Sequence, residues 1–347
     1  MTHMASEIAE QPEAVARTLD ALLPLTSEIS RVFANRNHVL FVARGTSDNA
    51  AVYGRYLVET MSGRHGALAA PSVATHYRAS VNLHDTVAVS ISQSGRTEEI
   101  LETQNWARAQ GARTIAVTND PQSPLAADSD VALVTRAGEE LAVPATKTYT
   151  AQLAALAIIA GSLSSESAGF ARDLEAVPDA LRRLLASVDR LEDAARTLAD
   201  ASGGTIVVSR GIAQTTALEI ALKLEETCLR PTQGFSYADL RHGPLAVVDE
   251  RLTAVIVAPA DGPLLGGLVE MARRVSATGA KVIGIGGGQD LASLSNVSLP
   301  GPALREALAP IGLVIPGQLL VEATARLFGL DPDQPRALTK VTQTDRS

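Results

Sequence analysis

Cysteine is nearly missing from this chain. Cys228 is the single one in 347 residues, so neither a disulfide framework nor a cysteine-built metal site can form, and a reducing compartment fits. Aromatic residues are scarce at 3%, too few for a platform on which single-stranded nucleic acid stacks its bases. Positive charge is also in deficit: the formal net charge is −8 with no compensating Lys/Arg cluster. A phosphate backbone would meet an opposing field, and nucleic acid is not an expected partner. The six histidines (His3, His38, His65, His76, His84, His242) lack metal-ligand spacing such as H-E-x-x-H, so no metal is expected. Long hydrophobic runs are absent as well. The longest, Ala151 to Leu163, is too short to cross a bilayer, and the first ten residues carry acids rather than an apolar signal core. The expectation is a cytoplasmic protein with no membrane partner.

What remains is an ordinary globular balance, 46% hydrophobic and 20% charged, with 26 glycines and 17 prolines. At ~100–200 residues per domain, the length calls for two domains. Short apolar runs recur along the chain: His38 to Ala43, Thr86 to Ile91, Thr114 to Thr118, Thr205 to Ser209, Thr253 to Ala258 and Lys281 to Ile285. Continuous apolar runs suit strands buried on both faces, as in a parallel sheet. Each is followed by a Gly- or Ser-containing loop and a helical pattern of ten to fifteen residues. That alternation predicts an α/β fold of doubly wound type.

The two halves echo each other. Phe41-Val-Ala-Arg44-Gly45 leads into a helical pattern ending Glu59-Thr60, and Val208-Ser-Arg210-Gly211 into one ending Glu226-Thr227. Ala109-Gln-Gly111-Ala112-Arg113 returns as Ala277-Thr-Gly279-Ala280-Lys281. The offsets are 166 and 168 residues (Gly45 to Gly211, Gly111 to Gly279), which means a duplicated domain rather than a solenoid. The expected division is a helical segment 1–30, a first domain 31–165, a helical connection 166–200, a second domain 201–330 and a C-terminal tail 331–347.

The copies differ in chemistry. After its second run the first carries Ser92-Gln93-Ser94-Gly95-Arg96-Thr97, and the second carries Pro259-Ala-Asp-Gly-Pro263. A strand-to-helix turn with a glycine and three hydroxyls can hold an anion at a helix N-terminus; the same Ser and Thr can equally cap the helix with no ligand. Glu219, Lys223 and Glu226, spaced i, i+4, i+7, share one helix face. That face reads either as a solvated salt-bridge ladder or as a base supported by charged neighbours. His242, in the loop Arg241-His-Gly-Pro244, is either a surface group or a proton shuttle.

Six motifs in order decide between these alternatives. They are Gly45-Thr46-Ser47; Ser92-Gln-Ser-Gly95; Ala137-Gly-Glu139 with Ala145-Thr-Lys147; Ala217-Leu-Glu219 with Ala221-Leu-Lys223; Arg241-His-Gly-Pro-Leu245; and Asp333-Gln-Pro-Arg336. From Glu7 to the last few residues the chain resembles the isomerase half of glutamine–fructose-6-phosphate aminotransferase, built of tandem sugar isomerase (SIS) domains. In that enzyme a glutaminase domain precedes the isomerase. Here the matching segment, Glu7-Ile8 to Gln11-Pro12, begins almost at Met1, and no glutaminase is expected. The wording of Arg44-Gly-Thr-Ser-Asp48, Ser94-Gly-Arg96, Arg136-Ala-Gly-Glu-Glu140 and Lys340-Val-Thr-Gln-Thr344 is more similar to the SIS-type glucosamine-6-phosphate deaminase.

The resemblance implies roles. Glu226 would move a proton between C1 and C2 of the opened sugar, as a carboxylate can when burial raises its pKa. Lys223 would support the developing oxygen, and Glu219 would orient the group. His242 would open the ring, entering from the neighbouring subunit of a homodimer, and Lys340 would cap the site and meet the opened carbonyl. Ser92, Gln93, Ser94 and Thr97 would bind phosphate, with Gly45, Thr46, Ser47 and the backbone near Val143 on the sugar. The implied partner is a sugar phosphate, with no cofactor.

Departures from the aminotransferase are Arg96 for glutamate, which adds positive charge by the phosphate, Pro144-Ala145 for Ala-Ser, which loses a hydroxyl, and Thr339 for alanine. The implied reaction converts glucosamine 6-phosphate to fructose 6-phosphate and ammonia. A fructosamine-6-phosphate deglycase and an ammonia-using glucosamine-6-phosphate synthase share the same chemistry. A sugar-phosphate-sensing regulator is the alternative of another class. A dinucleotide-binding oxidoreductase is weaker, because Gly284-Ile-Gly-Gly-Gly288 lacks the G-x-G-x-x-G spacing.

Overall fold

In the computed structural model, which describes residues 1–340 and Gln343, the chain forms two compact lobes, neither continuous in sequence. The first holds residues 13–140, 147–176, Thr339, Lys340 and Gln343; the second holds 1–12, 141–146 and 177–338. Val341, Thr342 and Thr344 of the tail motif lie outside the described residues.

The first lobe contains strands β1 (His38–Val42), β2 (His65–Leu68), β3 (Thr86–Ile91), β4 (Arg113–Thr118) and β5 (Val131–Val134). All neighbours pair in parallel, in the order β2-β1-β3-β4-β5. The second lobe contains β6 (Thr205–Ser209), β7 (Thr232–Ser236), β8 (Thr253–Ala258), β9 (Lys281–Gly286) and β10 (Val297–Leu299). Its order, β10-β9-β8-β6-β7, is the same arrangement read from the other edge. The duplication read from the sequence is therefore a duplication of topology, and the α/β class is borne out.

The six apolar runs are the three central strands of each sheet. All six residues of β3 and of β8 are buried, and each fully buried Val or Ile contributes ~1.5–3 kcal/mol. The four strands that the sequence pattern did not mark, β2, β5, β7 and β10, are the edges. Their burial is broken because one margin has no neighbouring strand, and their apolar signal is diluted accordingly.

Each lobe also contains a helix buried nearly all round. In the first, Lys147–Ser162 is buried at every position except its last, which accounts for the long apolar run as core. Gly54, on the helix Thr46–Ser62, lets that helix close on β1 and on Lys147–Ser162: a Cβ there would lie 2.8 Å from the Phe41 ring and 3.0 Å from Leu156. In the second, Ala309–Leu327 is the counterpart, and its Gly317 has no room for a Cβ beside Ile220 of the helix Gln214–Cys228. Among the described residues no helix is long and apolar enough to cross a membrane.

Strand order of this type reverses direction once, and ligands of such sheets bind at the carboxyl ends of the strands flanking that reversal. In the first lobe those strands are β1 and β3, followed by Arg44 to Ser47 and by Ser92 to Thr97. In the second they are β6 and β8, followed by Arg210 to Ala213 and by Pro259 to Leu264.

Candidate active site

In the first lobe, Gly95 turns the chain after β3 with φ +60°, and a Cβ there would fall on Ser123. Glycine is thus required by conformation and by space. Its N–H donates to the Ser92 carbonyl and to Ser92 Oγ, each at 3.2 Å, closing the loop on itself. The N–H groups of Gln93, Ser94 and Thr97 have no acceptor among the described residues. The capping alternative does not hold, because Thr97 at the N-cap of helix Glu98–Ala109 makes no side-chain cap bond. Gln343 instead accepts from the Glu98 N–H at 3.0 Å. The loop thus offers convergent donors at a helix N-terminus, which suits an anion.

Arg44 ties the two loops of this lobe together. Its guanidinium donates to both oxygens of the nearly buried Glu99 at 2.9 and 2.8 Å, a bidentate geometry that fixes both groups. Arg96 does not bring free charge to the loop as its sequence position suggested. It pairs with Asp120 at 2.8 Å, and the Gln122 backbone N–H together with Arg96 holds that carboxyl below the ordinary range.

Gly45 is the N-cap of helix Thr46–Ser62, and Ser47 lies in its first turn, buried. The Ser47 hydroxyl accepts from Gln152 Nε2 at 3.0 Å. Burial pushes the neighbouring Asp48 carboxyl up, with Arg44 opposing. Lys340 is anchored as well. Its ammonium donates to Glu140 Oε2 at 2.7 Å, and the same carboxylate accepts from the Thr148 hydroxyl at 2.6 Å and its N–H at 3.1 Å.

In the second lobe, the Glu-Lys-Glu face is not a solvated ladder. Glu219 and Lys223 are 0% and 1% exposed and Glu226 is 23% exposed, with Lys223 Nζ 3.5 Å from Glu219 Oε1 and 2.5 Å from Glu226 Oε2. A lysine buried between two carboxylates is costly unless paired, and Glu226 is the member that reaches solvent. His242 stands apart: it ends helix Tyr237–Arg241, is exposed, and its side chain has no partner among the described residues. The segment carrying Val143 is pinned on both sides. Glu7 accepts from the N–H groups of Leu141 and, at 3.3 Å, Ala142. The Val143 N–H donates to the Asp333 carbonyl at 2.8 Å, while the Asp333 carboxylate caps the first helix through His3 and Met4.

Cys228 is a packing residue; burial pushes its thiol up to about 12, and it faces the Val321 carbonyl at 3.4 Å. Gln152 was not singled out from the sequence, and Glu140, Glu7 and Asp333 appeared only as motif letters. For Gln152 the signal available was an amide inside an otherwise apolar helix.

A profile of the SIS domain family matches residues 32–161. The chain is 33% identical over 345 residues to the isomerizing glutamine–fructose-6-phosphate aminotransferase of Thermococcus kodakarensis, across 97% of this chain and 57% of that protein. It thus spans little more than half the length of that relative. Among solved structures, the C-terminal domain of glucosamine-fructose-6-phosphate aminotransferase from Francisella tularensis superposes with a TM-score of 0.86 at 30% identity, covering 96% of this chain and 98% of that one. Glucosamine-6-phosphate deaminase from Thermotoga maritima shares the fold, with a TM-score of 0.79 at 22% identity over 99% and 100% of the two chains.

Proposed function

This chain belongs to the SIS domain family, and on that premise we propose that it isomerises and deaminates glucosamine 6-phosphate, releasing fructose 6-phosphate and ammonia. The observation that carries this reading is the buried Glu219-Lys223-Glu226 constellation. Burying the Glu219-Lys223 pair on one helix has little structural merit, whereas the part-exposed Glu226 carboxylate beside that buried ammonium suits proton transfer between adjacent carbons.

In this mechanism the donors of the Ser92 to Thr97 loop hold the phosphate, with Ser47, Gly45, Thr46 and the Val143 backbone on the sugar hydroxyls. His242 moves a proton from O1 to the ring oxygen, opening the pyranose to the aldehyde. Glu226 takes the proton from C2 and returns it to C1 through an enolamine, while O1, steadied by Lys223, becomes a hydroxyl by gaining the proton that the C2 amino group loses. Glu219 holds Lys223 in place. The product is a 2-imino sugar. Water adds at C2 and ammonia leaves, giving the ketose. Lys340, held by Glu140, meets the opened carbonyl.

The exposure of His242, with Val247 66% exposed in the same loop, supports a homodimer in which this histidine serves the partner's site. The names of the relatives favour a second reading, in which the same groups run toward the amino sugar with ammonia as nitrogen donor. Incubating purified protein with glucosamine 6-phosphate tests the proposal. Equimolar ammonia and fructose 6-phosphate are expected; neither product, from folded dimer, refutes it. Formation of glucosamine 6-phosphate from fructose 6-phosphate and ammonium, faster than the reverse, would select the second reading.

A further inference from the structure

Gln152 is placed where an apolar residue would cost less. It lies on the buried helix Lys147–Ser162, 3% exposed. Its amide nitrogen donates to Ser47 Oγ at 3.0 Å, but its carbonyl oxygen, also buried, has no hydrogen-bond partner among the described residues. A buried acceptor left unmade costs roughly what a hydrogen bond is worth, so this side chain is destabilising unless a ligand completes it. The two atoms share one carbon, so the orphan acceptor lies beside the Ser47 hydroxyl. That hydroxyl has a single proton. No acceptor for that proton is present among the described residues, so Ser47 has a donor to offer a ligand beside the Gln152 carbonyl.

We propose that Gln152 is a specificity-determining residue of the sugar site, its carbonyl accepting a hydrogen bond from the same substrate hydroxyl to which Ser47 donates. The proposal rests on the reading of Ser47 as a sugar-binding residue of an amino-sugar-phosphate isomerase. Only a group that accepts and donates at once completes both partners. A sugar hydroxyl does so, and the sugar's phosphomonoester dianion, which has no proton to give, does not. The pair therefore reads the carbohydrate and leaves the phosphate to the Ser92 to Thr97 loop. A site built this way discriminates strongly against a ligand lacking the hydroxyl, because its own polar atoms are then stranded.

Calorimetric titration of the full chain with fructose 6-phosphate, its 3-deoxy and 4-deoxy analogues and inorganic phosphate tests this. The unaltered protein is expected to bind one deoxy analogue about 10-fold or more weaker than fructose 6-phosphate. Gln152→Met is expected to weaken fructose 6-phosphate by a similar factor and to lose the discrimination, with inorganic phosphate changed by no more than about two-fold. A Gln152→Met protein that keeps both affinity and discrimination overturns the proposal. If that variant does not fold, equal affinity of the unaltered protein for all three sugars overturns it instead. Turnover of glucosamine 6-phosphate is followed in parallel. Discrimination without turnover refutes the isomerase reading while leaving Gln152 its role; turnover without discrimination refutes Gln152 alone.

Discussion

The two lobes repeat one topology but carry different side chains at its matching positions. In the first, the loop after β3 is rich in unengaged donors, while the body of the helix after β1 has no counterpart of the charged cluster. At the repeat offset of 166 residues, the positions matching Glu219, Lys223 and Glu226 are Tyr53, Leu57 and Thr60. Tyr53 and Leu57 are fully buried, and Thr60 donates to its own helix. In the second lobe the reverse holds. The helix after β6 carries the charges, and the loop after β8, Pro259 to Leu264, has none of the first loop's hydroxyls. Its Gly262 lies against the Glu306 carboxyl, beside Asp261, so the second switch point already faces negative charge and repels a phosphate. Duplication supplied two switch points; on our reading, divergence left anion binding to one and proton transfer to the other.

This contrast can be broken most severely at Lys223. Lys223→Met removes the ammonium from between two carboxylates and is expected to cost about 3–5 kcal/mol in urea unfolding. Leu57→Met, at the matching position, conserves volume in an apolar site and is expected to cost less than about 1.5 kcal/mol. Equal losses would mean that the charged cluster has no special status.

At the loops, the double change Ser94→Ala with Thr97→Ala is expected to weaken inorganic phosphate and fructose 6-phosphate binding by about 10-fold or more. Asp261→Ser, which copies a hydroxyl into the second loop, is expected to leave both affinities unchanged. Phosphate affinity that responds to Asp261 and ignores Ser94 and Thr97 would assign the anion to the wrong lobe.

The smallest effect concerns Glu306, whose carboxyl is raised by burial first and by Asp261 second. A carboxyl raised on folding prefers its proton in the folded state. Its ionisation therefore destabilises the fold above the folded pKa and has no effect below the unfolded value. Glu306→Gln is expected to stabilise at pH 7 by less than about 1 kcal/mol, since water screens a part-buried group, and to do nothing at pH 3.5. A melting temperature that rises equally at both values would contradict the assignment.

The fold was legible wherever burial is two-sided. Central strands show as unbroken apolar runs, and edge strands such as Thr232–Ser236, with a polar and a glycine position, do not. The proposed site was legible where, on our reading, side chains serve as ligands in their own right: Ser92, Ser94, Thr97, Glu219, Lys223 and Glu226. It was not legible where a residue works through another. Gln152 holds Ser47 from 105 positions away, Glu140 holds Lys340 from 200, and Glu7 pins Leu141 from 134. No local period or spacing encodes such pairs, because they are created by folding. The partner of Arg96 was hidden for the same reason, since Asp120 is a neighbour only across the loop.

The most direct test of the division of labour follows solvent deuterium into C1 of fructose 6-phosphate by proton NMR, alongside ligand affinity by calorimetry, for the unaltered protein and Glu226→Gln. The account predicts exchange in the unaltered protein and a loss of about 100-fold or more in the variant, with fructose 6-phosphate affinity within about two-fold. Undiminished exchange in Glu226→Gln would contradict it.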